Sequence, residues 1–105
     1  MNKYMVYHNI YFLNYAFKTD SVSELPMAIL EKVATVICTT IDRAFELTNH
    51  IDCAWWENER VDVYNPTNKP LKYRSTSVGD VIYDYFNEKY FLCCDVGWKE
   101  IKIIL

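Results

Sequence analysis

The residues with the most chemical potential lie close together in Tyr73–Asp80, where Arg74, Ser75, Thr76, Ser77, Gly79 and Asp80 follow one another as RSTSVGD. Three hydroxyls, a guanidinium and a glycine could hold an anion through charge-assisted and backbone hydrogen bonds. A phosphate loop, however, needs a strand, two spaced glycines, a lysine and then a helix. This segment has one glycine and runs into the β-branched Val81-Ile82-Tyr83. The spacing therefore reads first as a turn that starts a strand, with Gly79 supplying positive φ. Ser75 or Ser77 as a nucleophile would need His8 or His50 as base, and neither histidine lies in a supporting motif.

Other chemistry-bearing groups are sparser. His50, Asp52 and Cys53 have metal-ligating side chains, but no paired CxxC or HxxxH completes a tetrahedral set, so no metal is expected. No cofactor motif is present, and none is expected. Glu57, Glu59 and Asp62 could form an acid–base pair, but they read better as a solvated acidic rim. Six acids (Asp42, Glu46, Asp52, Glu57, Glu59, Asp62) stand against Arg43 and Arg60 in this middle part, while the chain as a whole carries only −3. Trp55 and Trp56 precede the rim as neighbours. Extended chain would send them to opposite sides, so one indole should be accessible. Trp55, Trp56, Glu57, Glu59 and Asp62 are therefore the candidate partner-binding residues, steering a basic partner; the alternative is that both rings close the bottom of the core. Lys69 to Arg74, with Tyr73 interleaved, is the alternative, a short stacking patch for nucleic acid.

The elements that must position these groups fit in 105 residues, the size of one domain with one core. About half the residues are apolar, nine are Tyr, and only two are Gly, a composition that folds rather than one that stays disordered. The beginning of the chain lacks a continuous apolar run and a cleavage site, so no signal peptide is expected. No run approaches the roughly 18 apolar residues that span a membrane. Cys93 and Cys94 are adjacent and would point to opposite faces of a strand, which favours four reduced thiols and an intracellular setting.

Lys3–Phe17 is rich in β-branched and aromatic residues and reads as extended in at least one piece, with breaks at Asn9 and Asn14. Lys18–Ser23 is a polar loop. Pro26–Thr39 is ambiguous, since PMAILEKVA suits a helix opened by Pro26 and KVATVICTT is β-branched; Lys32–Cys38 reads as a strand. Thr40 is an N-cap, and Ile41, Ala44, Phe45 and Thr48 share one face, predicting a helix over Ile41–His50. Arg60–Tyr64 alternates like a short strand, and Asn65–Pro70 is turn chemistry. Val81–Tyr83 and Tyr90–Leu92 form a hairpin around Asn87, which tolerates left-handed backbone, and Ile101–Ile103 alternates like an edge strand. The expected fold is α+β, one domain over residues 1–105, with an antiparallel sheet of about four to six strands and one main helix packed on one face.

YRSTSVGDVI, with the downstream YF…VGWKEI and the preceding EKVATV and AFELTNHIDCAWWENERV, resembles a family of small uncharacterised bacteriophage and mobile-element proteins. It is also similar to the YodL-like domains of polyvalent phage and plasmid proteins, where RSLSVSDV precedes YYVDSFGF. Here Gly79 stands in place of Ser and Trp98 in place of Phe. The resemblance runs from about Glu31 to Ile101. It implies a phage or mobile element acting in the cytoplasm of a bacterial host, and it assigns no reaction. With no catalytic constellation, the expectation is a non-enzymatic accessory protein that binds and modulates a host protein, such as a component of a defence system. The alternatives are a nucleic-acid-binding module and a small nucleotide binder or enzyme using the RSTSVGD loop.

Overall fold

A computed structural model describes residues 1–49, 54–65 and 73–105. The β-branched and aromatic opening forms β1 (Asn2–Asn9), and the Leu30–Cys38 run forms β3, paired antiparallel to it. The register shifts between Val6 and Tyr7, where Val33 has no partner across the pair. This bulge puts Val33 and Ala34, consecutive in sequence, into the same core. β2 (Glu24–Pro26), β4 (Val61–Val63), β5 (Val81–Asp84), β6 (Lys89–Cys93) and β7 (Trp98–Ile104) complete a seven-stranded sheet in the order β2-β7-β6-β5-β1-β3-β4.

The sheet is larger than the expected four to six strands and is mixed, because β2 runs parallel to β7. Three residues are too few to show an alternating pattern, so sequence alone could not reveal β2. Its presence also corrects the reading of Ile101–Ile103 as an edge: β7 is covered by β2, with the amide of Lys102 bonded to the carbonyl of Ser23 at 3.0 Å. Among the described residues the edges are β2, which Pro26 closes, and β4.

Helix α2 (Ile41–Leu47) is the main helix, and the Thr40 hydroxyl caps it by accepting from the amide of Arg43 at 3.2 Å. It ends at Leu47 rather than His50. The Thr48 hydroxyl bonds back to the carbonyl of Ala44, and its own carbonyl accepts from the amide of Thr76 at 2.9 Å, which draws the chain out of the helix. A second, one-turn helix, α1 (Phe12–Tyr15), lies where extended chain was expected. Asn9 does break the strand: its side-chain oxygen accepts from the amide of Tyr11 at 2.8 Å. Asn14, the other expected break, sits inside α1.

Two cores form on opposite faces of the sheet. One gathers Val6, Val36 and Ile82 under Ala44 and Leu47 of α2, together with Trp55. The other packs Leu25, Val81, Leu92 and Ile101 beneath the Phe12–Ile29 connection, with Tyr15 of α1 against it. Helical cover on one face was the expectation; the second face is closed by the β1–β3 connection instead.

The β5–β6–β7 meander forms as expected. The left-handed residue of its first turn is Glu88, φ 55°, not Asn87. Asp84 accepts from the amides of Phe86 and Asn87 at 2.9 and 3.2 Å and from the Asn87 side chain at 2.7 Å. Those bonds hold both residues in an ordinary turn and move the positive φ one residue on.

Candidate functional site

The RSTSVGD segment folds around its own aspartate. Asp80 is fully buried, and its carboxylate accepts four hydrogen bonds. Arg74 supplies two of them from Nη1 and Nη2, each 2.6 Å, in the bidentate geometry that suits guanidinium to carboxylate. The amides of Ser77 and Asn9, each at 2.8 Å, supply the others. Arg74 spends its remaining Nη hydrogens on the carbonyls of Ser75 and Asn9, at 3.0 and 3.1 Å. Its guanidinium carbon lies 3.7 Å from the centre of the Phe12 ring, a cation–π contact on α1.

Gly79 is needed where it stands. Its φ is +97°, and a β-carbon there would meet the carbonyl oxygen of Phe12 at 2.8 Å. Its amide donates to the carbonyl of Cys93, and the amide of Cys93 donates to the carbonyl of Asp80, both at 2.9 Å. The segment therefore clasps the end of β1, α1 and the end of β6, elements that are distant in sequence.

Thr76, also fully buried, lies 3.0 Å from His8 Nε2. Its carbonyl accepts from the Asn49 side chain. Burial lowers the His8 pKa to about 4, against the weaker pull of Asp80, so its ring is neutral at pH 7. A neutral imidazole on a hydroxyl is half of a nucleophile–base arrangement. The Thr76 hydroxyl, however, has no exposed surface through which a substrate could reach it. Among the described residues, every fully buried side-chain nitrogen and oxygen has a partner. Asp80 and the carbonyls of Ser75 and Asn9 take the Nη hydrogens of Arg74, so an anion binding there would have to displace them, and displacing Asp80 would leave a buried carboxylate without its counter-charge, which is expensive. A shallow cavity of about 400 Å³ opens beside the clasp, lined by His8, Phe12, Glu31, Tyr73 and Arg74.

The partner-binding candidates divide. Trp55 is 1% exposed. Its ring stacks on Tyr73 with centroids 5.8 Å apart, and its indole donates to the carbonyl of Arg74 at 3.2 Å. It closes the core under the clasp and is not a surface anchor, because the Trp55–Glu57 3-10 turn directs it inward. Trp56 is half-buried with its ring edge-on to Trp55. Glu57, Glu59 and Asp62 are exposed. Glu59 and Asp62 join Lys3, Thr35, Ile37 and Arg60 around an open cavity of about 450 Å³ at the β4 end of the sheet. Ile37, which the sequence did not single out, is 54% exposed there.

His50, Asp52 and Cys53, together with Lys69 and Lys72 of the basic patch and most of the Asn65–Pro70 turn, lie outside the described residues. Arg74, the remaining cation of that patch, is engaged by Asp80. Cys38, Cys93 and Cys94 are free thiols, and burial pushes Cys93 up to about 12. Besides Ile37, the residues that sequence reasoning missed are Asn9 and Phe12, whose backbone and ring complete the clasp. Their only signal was a lone asparagine at a strand end.

Comparison with protein-family models, with curated proteins and with solved structures found no match.

Proposed function

We propose that this chain is a non-enzymatic binding protein of phage or mobile-element origin that docks on a host bacterial protein through the β4 end of its sheet. The proposed target class, which rests on the resemblance alone, is a component of a defence system. The observation that carries the reading is the cavity in which exposed Ile37 is ringed by Lys3, Glu59, Arg60 and Asp62. An apolar centre within a charged rim is the anatomy of a recognition surface. The charged side chains of the cavity balance, Glu59 and Asp62 against Lys3 and Arg60, so they set the orientation of a partner of mixed charge while Ile37 supplies contact area. The self-satisfied clasp agrees with a structural rather than a ligand-holding role for RSTSVGD. The resemblance of that segment to phage and mobile-element proteins supports the origin.

The test is affinity capture from bacterial lysate with mass spectrometry, followed by titration of the captured partner against surface variants. Ile37→Asp and the Glu59→Lys, Asp62→Lys pair should each weaken binding by about tenfold or more while leaving the fold intact. Unchanged affinity in both would overturn the reading. Retention on nucleic acid that falls steeply with salt would favour the nucleic-acid alternative instead.

A further inference from the structure

Helix α1 is apolar on the wrong side. Phe12 and Tyr15 face inward, one under the Arg74 guanidinium and the other against the second core. Yet four large apolar residues around them face solvent, Ile10, Tyr11, Leu13 and Phe17, at 55, 51, 65 and 92% exposure, with Asn14 the exposed polar residue among them. No α1 residue is buried. At the sizes of such side chains this patch exposes on the order of 500 Å², at the upper end of what monomers leave open.

The patch is also held rigidly. Gly79 lets the carbonyl of Phe12 approach the 74–80 segment, and Arg74 lies on the Phe12 ring. A clasp that fixes an apolar protrusion in place preorganises it for docking.

We propose that this protrusion is a dimer interface occupied by a second copy of the chain. Two such patches meeting bury roughly 1,000 Å², the size at which a specific interface begins. The ionisable groups from Ile10 to Ser21, besides the tyrosines, are Lys18 and Asp20, of opposite sign, so two copies meet without net repulsion. A bilayer surface would be met by a cluster of free Lys and Arg around such a patch; here Lys18 lies over the Tyr15 ring, Lys99 is bonded to the carbonyls of Thr19 and Asp20, and Arg74 is paired with Asp80. The surface is separate from the β4 cavity, so each can fail alone.

The experiment is sedimentation equilibrium of the full chain from about 1 to 100 µM, the range in which an interface of this size associates. The expected mass approaches twice the 12.5 kDa of one chain at the upper end. Phe17→Glu and Leu13→Glu should return it to the single-chain mass with unchanged far-UV circular dichroism. Val96→Glu, at a 94% exposed apolar residue outside the patch, should leave the dimer intact. Should Leu13→Glu fail to fold, Phe17→Ser gives the same reading, since Phe17 contributes almost nothing to the core. A wild-type chain at single-chain mass throughout, or a dimer insensitive to Phe17, would overturn the proposal. So would a monomer that binds phosphatidylserine vesicles through Phe17.

Discussion

His8 shows how one buried group makes the fold sensitive to pH. Its imidazole lies edge-on to Trp55 and Tyr73, each about 6.2 Å away, with Thr76 on Nε2. Burial holds its folded pKa near 4, below the usual 6.5. The unfolded chain thus binds the proton first as pH falls, so His8 costs nothing above about pH 6.5 and destabilises progressively from there to about pH 4. Between pH 7 and 5 the loss should be about 2 kcal/mol, and His8→Gln, which keeps a partner for Thr76, should remove that part of the pH dependence in urea unfolding. An unaltered slope would show that other groups carry it. The two glycines allow a second comparison at the same scale. Both have positive φ, but a β-carbon at Gly97 meets nothing within 4 Å, whereas at Gly79 it meets the Phe12 backbone. Gly97→Ala should cost about 1 kcal/mol and Gly79→Ala about 3 kcal/mol by chemical denaturation. Equal costs would mean that α1 moves aside freely.

Elements were legible where a single pattern ran long enough to be read. β3 shows its β-branched run, α2 its N-cap and apolar face, and the β5–β6–β7 meander its alternation between turns. α1 was not legible because Tyr11–Phe17 is as aromatic as the strand before it, and what bends the chain is the Asn9 side chain bonding the amide of Tyr11. β2 was hidden by its brevity and by a parallel partner at the far end of the chain. The candidate site divides along the same line. Gly79 at positive φ and the turn before β5 follow from local chemistry, whereas the pairing of Arg74 with Asp80 and its attachment to Asn9 depend on β1 and β5 lying side by side. Extended-chain geometry says that one of the two neighbouring indoles is accessible but not which; the 3-10 turn puts Trp55 in the core and leaves Trp56 half-buried.

At the scale of the molecule, the sheet separates two cores, and the clasp is where β1, α1, the 73–80 segment and β6 meet. Its polar bonds hold the elements that close each core, and it backs the apolar protrusion on α1. Proposed partner recognition lies elsewhere, at the β4 end, so the clasp is accountable to stability rather than to binding. Asp80 has no exposed surface, while the Arg74 side chain is 31% exposed, so removing the arginine strands a buried carboxylate. The decisive measurement is equilibrium urea unfolding of Arg74→Met beside the wild type at pH 7. A clasp predicts a loss of about 3–5 kcal/mol, a large share of the stability of a small domain. Stability that is unchanged or increased would contradict it and return Arg74 to the role of a ligand-binding cation held at the fold's expense.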